Sequence, residues 1–325
     1  MWWTTKCNRW GVVSVLSCLL CLPLASQEIE DGTDYVEAVA ARNNIRIGMS
    51  WRDYNLRFFT NSDKTLGFRN ASVNTTVGGR YGIANLTLTL PVARYGNLAR
   101  TESQQLALNL DFYQKWGYAG VQAQRISGFE ETDVAAGLTT FRGDVKMTVV
   151  GAYGFRVLND RFSLRAAFKN SERQLKGQGS LLLALTTEVQ ALRTEDIDLQ
   201  LRDGTELRID NFDQQKIGLG LGYGHTWSTP AGWYLTPLAV VGLEFRYNQY
   251  TGGDGAAEER GFRLSPRLRG RLAGGYNGRR LFASLRASFL PGYEVGDRLN
   301  ARVRNVRAAV VFGWRFNHRA KKNTE

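Results

Sequence analysis

The chain has 325 residues, 43% of them hydrophobic and 22% charged, with 35 Gly and 6 Pro. It is too apolar for a disordered polymer, and one folded domain, or at most two, is expected. Lys and Arg number 42 against 30 acids, a formal charge of +12. Beyond the N-terminus no stretch reaches the roughly 18–20 uninterrupted apolar residues of a spanning helix, which excludes a polytopic helical membrane protein. With only two His, at 225 and 318, and with all three Cys inside the first 21 residues, a His/Cys metal enzyme is not expected.

In chain order, residues 1–10 carry Lys6 and Arg9, residues 11–24 are apolar, and Ala25 and Ser26 precede the polar stretch Gln27 to Asp31. This is the three-part pattern of a secretory signal peptide, predicted over 1–26. A lipoprotein alternative would use Cys18, with only a few apolar residues before it. Removing 1–26 takes away Cys7, Cys18 and Cys21 and leaves 40 basic against 30 acidic residues. The exported chain then has no disulfide and no cysteine nucleophile. The organisation expected is a periplasmic N-terminal segment over 27–44, a β-barrel over 45–318 and a basic tail over 319–325.

From Ile45 onward the dominant period is two, in segments of about ten residues separated by turn residues. Leu106, Leu108, Leu110 and Phe112 share one face. So do Val145, Met147, Val149, Tyr153, Phe155 and Val157, and again Val306, Ala308, Val310, Phe312, Trp314 and Phe316. A soluble sandwich turns such a face inward; a membrane barrel turns it to lipid. Three features favour the barrel. Several segments exceed sandwich strands in length. Trp116, Tyr118, Trp227, Trp233, Tyr234, Tyr276 and Trp314 fall near strand ends, where an aromatic girdle would sit. Tight connections at Tyr81-Gly82, 115–117, Asn159-Asp160, 229–232 and Asn277-Gly278 contrast with longer polar ones at 61–70, 129–141 and 251–260.

The predicted fold is all-β, a transmembrane antiparallel barrel of about 12, alternatively 14, strands. The twelve segments are 45–60, 71–80, 82–91, 103–114, 117–127, 142–157, 161–169, 214–228, 232–250, 261–276, 279–291 and 302–317. Parity requires both termini on one side. The strand-like Ser180 to Leu192 must then stay outside the wall or bring a partner, which a hairpin around Asp203-Gly204 would supply.

Four blocks add a resemblance: FFTNSDKTLGFRN from Phe58, RFSLRAAFKNSERQLKGQGSLLL from Arg161, IGLGLGYGHTW from Ile217 and LSPRLRGRLAGGYNGRRLFASL from Leu264. In this order they resemble a family of bacterial proteins of unknown function, found mainly in Bacteroidetes and thought to be outer-membrane barrels. The family's proline-containing block after the first strand stands here as Phe68 to Ser72, without the proline. The resemblance implies a fold and the outer membrane of a Gram-negative bacterium, and supplies no functional residues. The last strand also resembles the aromatic signal read by the barrel-assembly machinery, although Phe316 is followed by a nine-residue tail.

With the apolar face toward lipid, alternate residues line the lumen. Arg263, Arg267, Arg269, Arg271, Arg286, Arg307 and Arg315 are predicted inward, with Asp111, Glu188 and Glu244 the inward acids. Guanidinium in excess of carboxylate favours anions, so a narrow anion-preferring pore for small acidic solutes is the first functional expectation. A closed, salt-bridged structural barrel, or one binding lipopolysaccharide or another ligand, is the alternative. Gly218, Gly220, Gly222 and Gly224 take every inward position of one strand; lacking G-x-G-x-x-G spacing, they read as close-packing positions for Arg side chains or residues 194–213. His225 with Ser228 is the one nucleophile and base pair to weigh for a lipid hydrolase, but the two fall on opposite faces, and no enzyme is expected. No motif implies a metal or organic cofactor. Export removes the usual reason to read the positive charge as nucleic-acid binding. Membrane lipid is the expected surrounding, and Arg94, Arg100, Lys169, Arg173 and Lys176 are the basic residues expected at loop ends for lipopolysaccharide.

Overall fold

The computed structural model describes residues 35–39, 43–60, 65–81, 84–92, 103–114, 117–133, 137–200, 206–251, 257–294 and 299–316. All lie in one compact unit, Gly32–Glu325. The elements are β1 (Val36–Ala38), β2 (Asn43–Thr60), β3 (Thr65–Tyr81), β4 (Ala84–Pro91), β5 (Gln104–Gln114), β6 (Gly117–Asp133), β7 (Leu138–Val157), α1 (Leu164–Lys169), β8 (Glu172–Gln174), β9 (Gln178–Gln200), β10 (Glu206–Ser228), β11 (Trp233–Thr251), β12 (Ala257–Asn277), β13 (Leu281–Glu294) and β14 (Leu299–Phe316). Twelve strands close an antiparallel barrel in the order β10-β11-β12-β13-β14-β2-β3-β4-β5-β6-β7-β9, and β9 pairs β10. The outer-membrane β-barrel fold read from the period is the fold observed.

Alternation sorts the side chains. Ile45, Ile47, Met49 and Trp51 on β2 point out, as do Leu106, Leu108 and Phe112 on β5 and Val310, Phe312 and Trp314 on β14. A polar group exposed to hydrocarbon has no water to bond, and only a closed ladder leaves the backbone satisfied there. Trp227, Trp233, Tyr276 and Trp314 lie outward near the end that carries the tight turns. Tyr118 and Tyr234 are corrections, since both are buried inside, and Trp116 lies outside the described residues. β7 reverses the expected sense: Val145, Met147, Val149 and Phe155 are buried inside, where they meet apolar side chains of other strands.

The strand membership also needs correction. Residues 161–169 are not wall. Ser163 caps a short helix, its Oγ accepting from the Ala166 N–H at 3.0 Å, and Asn170 ends it in the left-handed region at φ 54°. The segment fits a strand by alternation, but Leu164, Ala167 and Phe168 also satisfy helical spacing. β9 takes the vacated wall position, so Ser180 to Leu192 lies in the barrel and Asn159-Asp160 opens an insertion rather than a tight turn. Residues 194–200 and 206–213 continue β9 and β10, and most of the described residues in the expected long loops at 61–70, 129–141 and 251–260 are strand extensions. Within 27–44, Val36–Ala38 pairs with β8 and Asn43 already opens β2.

Two apolar layers lie within the barrel. Near the end with the tight turns, Phe162, Leu164, Ala167 and Phe168 of the insertion pack on Tyr118, Phe155, Leu182, Tyr234, Leu238 and Ala273 of the wall. Toward the other end, Tyr54, Leu56, Phe58, Phe68, Phe129, Met147, Phe212 and Tyr250 form the second layer. Phe212 stacks on Tyr250 with centroids 4.7 Å apart. β4 and β5 are short, and beyond them β3 pairs directly with β6 from Leu66↔Asp133 to Arg69↔Glu130. On the opposite side, the β12–β13 ladder stops at Gly270↔Phe289.

Candidate functional site: a cationic chamber in the lumen

Between the two layers lies a cavity of about 290 Å³. Arg52, Arg269, Arg271, Arg286 and Arg307 reach its wall with Lys169 and Lys216, and Glu188 is the carboxylate that lines it. The arginines arrive there by period alone: on β12 the odd residues face in, and Arg267, Arg269 and Arg271 are consecutive odd positions.

The predicted inward arginines divide by what they hold. Arg271 donates to the Tyr118 hydroxyl at 2.6 Å and lies over the Phe168 ring, 4.2 Å from its centroid. Arg286 donates to Asn170 Oδ1 at 2.6 Å. Arg315 donates to the Asn170 and Gly278 carbonyls and to Asn277 Oδ1. These three pin the inserted segment. Arg267 donates to Thr186 Oγ1 and stands 3.6 Å from Glu244, whose other oxygen takes Arg246 Nε at 2.6 Å. Arg263 lies farther along β12, opposite Arg246, and does not line the chamber. Arg269 and Arg307 face the chamber and make no hydrogen bond or ion pair among the described residues.

The acids are committed to cations. Asp111 is fully buried and accepts from Lys169 Nζ at 2.5 Å, from Asn85 Nδ2 at 3.2 Å and from the Tyr153 hydroxyl. Burial, with a further push from Arg46, pulls the Lys169 ammonium down to about 8 against the opposing pull of Asp111. Glu188 accepts from Lys216 Nζ at 3.1 Å. Cations thus exceed carboxylates at the chamber wall, and guanidinium keeps its charge at any physiological pH.

The four glycines face in as expected, and each makes room for a neighbour. A Cβ at Gly218 would strike the Arg267 guanidinium; at Gly220 or Gly222 it would sit 2.8 Å from Val240, and at Gly224 3.1 Å from the Phe162 ring. Arg267 therefore lies where an arginine was expected, while Phe162 of the insertion replaces the anticipated 194–213 segment. A family model described as a domain of unknown function (DUF4421) matches residues 33–316. The chain belongs to the DUF4421 family.

No curated protein matches the chain. Among solved structures, this DUF4421 barrel is similar to the outer-membrane protease OmpT of Escherichia coli (6% identity, TM-score 0.42, covering 84% of this chain and 96% of that one). It is similar also to the translocator domain of the autotransporter NalP of Neisseria meningitidis (12% identity, TM-score 0.40, 84% and 88%). An outer-membrane channel of Pseudomonas putida F1 matches at 13% identity and TM-score 0.32 over 89% and 100% of the two chains.

Other residues of the DUF4421 barrel fall differently from the sequence reading. Lys169 is inside on Asp111, Arg173 donates to Glu37 at 2.6 Å and to the Asn277 carbonyl, and Lys176 lies over the Tyr35 ring. None of the three stands at an outer loop end; Arg94 and Arg100 lie outside the described residues. His225 points outward between Tyr223 and Trp227, 4.8 Å from the Trp227 ring, whereas Ser228 Oγ is buried with no hydrogen-bond partner among the described residues. The opposite-face placement holds, and the two do not form a pair. Arg52, Lys169 and Lys216 were missed as chamber cations. Period two placed Arg52 and Lys216 on inward positions, but neither has a charged residue two positions away on the same face, so no run like that of β12 drew attention to it.

Proposed function

We propose that this protein is an outer-membrane barrel that binds a small anion in its lumen, with the tight-turn end toward the periplasm. The observation that carries the reading is the pair Arg269 and Arg307, two half-buried guanidinium groups that meet no acceptor among the described residues and face a cavity of about 290 Å³. Unpaired buried charge is costly, and a carboxylate or phosphate of matching fork geometry relieves it. Binding is favoured over free passage because an apolar layer crosses the lumen on each side of the chamber.

Passage of small acidic solutes is a second reading, favoured by the run of inward arginines from Arg315 near the turns to Arg263 toward the far end. It requires the inserted segment to withdraw and the layer of Phe58, Phe129 and Phe212 to part. Contact with lipopolysaccharide falls instead to the exterior, where Arg69 and Arg304 flank Asp53 at 3.1 and 3.4 Å. A catalytic role is not proposed, since His225 faces outward in an aromatic setting.

The test is calorimetric titration of the folded, refoldable barrel with inorganic phosphate, alongside planar-bilayer current. Saturable phosphate binding that Arg269→Gln and Arg307→Gln each weaken, with little steady current, is the expected result. A steady cation-preferring current, or no phosphate binding by a barrel that shows heat-modifiable gel mobility, overturns it.

A further inference from the structure

The ladder between β12 and β13 is incomplete. β11 pairs with β12 from Trp233↔Tyr276 to Thr251↔Ala257, but β12 pairs with β13 only from Asn277↔Phe282 to Gly270↔Phe289. β13 nonetheless continues to Glu294 and stays paired with β14 as far as Glu294↔Ala301. Both strands are therefore present beyond Gly270 and Phe289, and they part. Among the described residues, 257–269 has no strand on its β13 edge. Prolines stand on both sides of the parting: Pro291 is the second residue beyond the last pair and Pro266 the fourth. Neither has an N–H to give a ladder, so the seam cannot close into a full set of bonds.

The two sides of the seam differ in character. Outside, Leu268, Leu264 and Phe262 on β12 and Phe289 on β13 are exposed, Phe262 by 80%. Inside, a small cavity of about 50 Å³ touches Arg267 and Arg269 on β12 and Leu290, Pro291 and Gly292 on β13. It shares Arg269, Leu290, Val303, Glu188 and Lys216 with the main chamber. An unpaired strand edge is tolerated at membrane depth only where it lines a polar cavity or is covered. The seam meets that condition on its inner side, and its outer lip is apolar.

We propose that the β12–β13 seam is a lateral portal and binding site for a single-chain anionic amphiphile drawn from the surrounding leaflet. Its phosphate or carboxylate head lies on Arg269 and Arg307, and its chain passes between the parted strands to the lip formed by Leu264, Leu268 and Phe289. The proposal rests on the anion-binding reading of the chamber. It goes further by naming the ligand class and the route. Arg267 is already held by Thr186 and Glu244, which leaves Arg269 and Arg307 for the head. A freely water-soluble anion would have no use for an opening framed by leucine and phenylalanine.

The experiment uses the full chain folded in a neutral maltoside detergent and two forms of one probe. Dodecyl phosphate is titrated beside inorganic phosphate and dodecyltrimethylammonium, and a dodecyl phosphate with a diazirine near the chain end is photolysed and its adducts mapped. The expected result is dodecyl phosphate binding at least tenfold tighter than phosphate, weakened at least tenfold by Arg269→Gln or Arg307→Gln. Adducts are expected to concentrate on 262–268 and 289–291. Mapping on the unaltered chain keeps the test valid if either variant fails to fold. Adducts spread evenly around the lipid belt, or equal binding of the cationic amphiphile, overturn the portal. Phosphate binding with no gain from the alkyl chain overturns the portal and leaves the chamber reading intact. Absence of binding by either phosphate overturns both. A free alkyl acid and a phospholipid-derived source are then separated by repeating the titration with laurate and with lysophosphatidic acid.

Discussion

Arg269 and Arg271 are two residues apart on one face of one strand, yet they do different work. Arg271 is engaged by Tyr118 and Phe168, while Arg269 meets no acceptor among the described residues. Arg269→Glu is therefore expected to abolish phosphate binding without unseating the insertion, a loss of at least tenfold or about 1.4 kcal/mol. Arg271→Glu is expected to raise amide exchange across 158–177. The opposite assignment of effects, read by titration and by hydrogen exchange, would refute the division. Lys169 gives a second prediction. A lysine freed into water titrates near 10.4, whereas the buried Lys169 sits at about 8. A withdrawn insertion thus binds more protons than a seated one between those values. Seating is penalised below pH 8 and improves as pH rises from 8 toward 10, so the opening free energy of 158–177 by hydrogen exchange is expected to rise over that window. Lys169→Met should remove the pH dependence. An opening free energy that falls with pH in the unaltered protein contradicts the assignment. The inward position of Arg269 was legible from alternation; its lack of an acceptor was not, because partners come from strands remote in sequence.

At the scale of elements, the insertion between β7 and β9 is the feature that alternation misreads. Phe162, Leu164, Ala166 and Phe168 alternate as a strand would, and the capping geometry of Ser163 and Asn170 decides for a helix. Six helical residues are too few to be stable alone, so the segment takes its form from the wall it packs on. Gly224 admits the Phe162 ring, and Gly224→Leu is expected to displace it. The barrel should still migrate as a heat-modifiable species, while exchange across 158–177 rises by tenfold or more. Unchanged exchange there would count against the seating of Phe162 over Gly224. β7 carries a related lesson. Its regular apolar face was legible, but whether that face meets lipid or the interior depends on which neighbours the barrel brings to it, here Phe162 and Phe168 at one end and Phe129 at the other.

For the whole molecule, closure fixes parity and gives every wall strand two neighbours, although the β12–β13 ladder stops at Gly270↔Phe289 and the β7–β9 ladder at Lys146↔Arg193 before the strands themselves end. A ligand that binds only the folded barrel stabilises it by mass action, about 2.7 kcal/mol at a hundredfold excess over Kd. Saturating phosphate is thus expected to raise the thermal midpoint of unfolding, seen by heat-modifiable gel shift, and the Arg269→Gln, Arg307→Gln double variant should lose that rise while keeping its unliganded midpoint within a few degrees. An undiminished rise in the double variant would place the anion elsewhere.

The sequence by itself determined the period, hence a transmembrane barrel of about twelve, alternatively fourteen, strands, its lipid-facing residues on most strands and an arginine-rich inner face. These follow from each strand's own alternation and from the parity of turns, which are local. The tertiary structure alone decided that 161–169 leaves the wall and β9 enters it, that Arg271, Arg286 and Arg315 pin the insertion while Arg269 and Arg307 meet no acceptor among the described residues, and that the β12–β13 ladder stops at Gly270. Those depend on which distant strands become neighbours when the sheet closes, and no local pattern encodes that pairing.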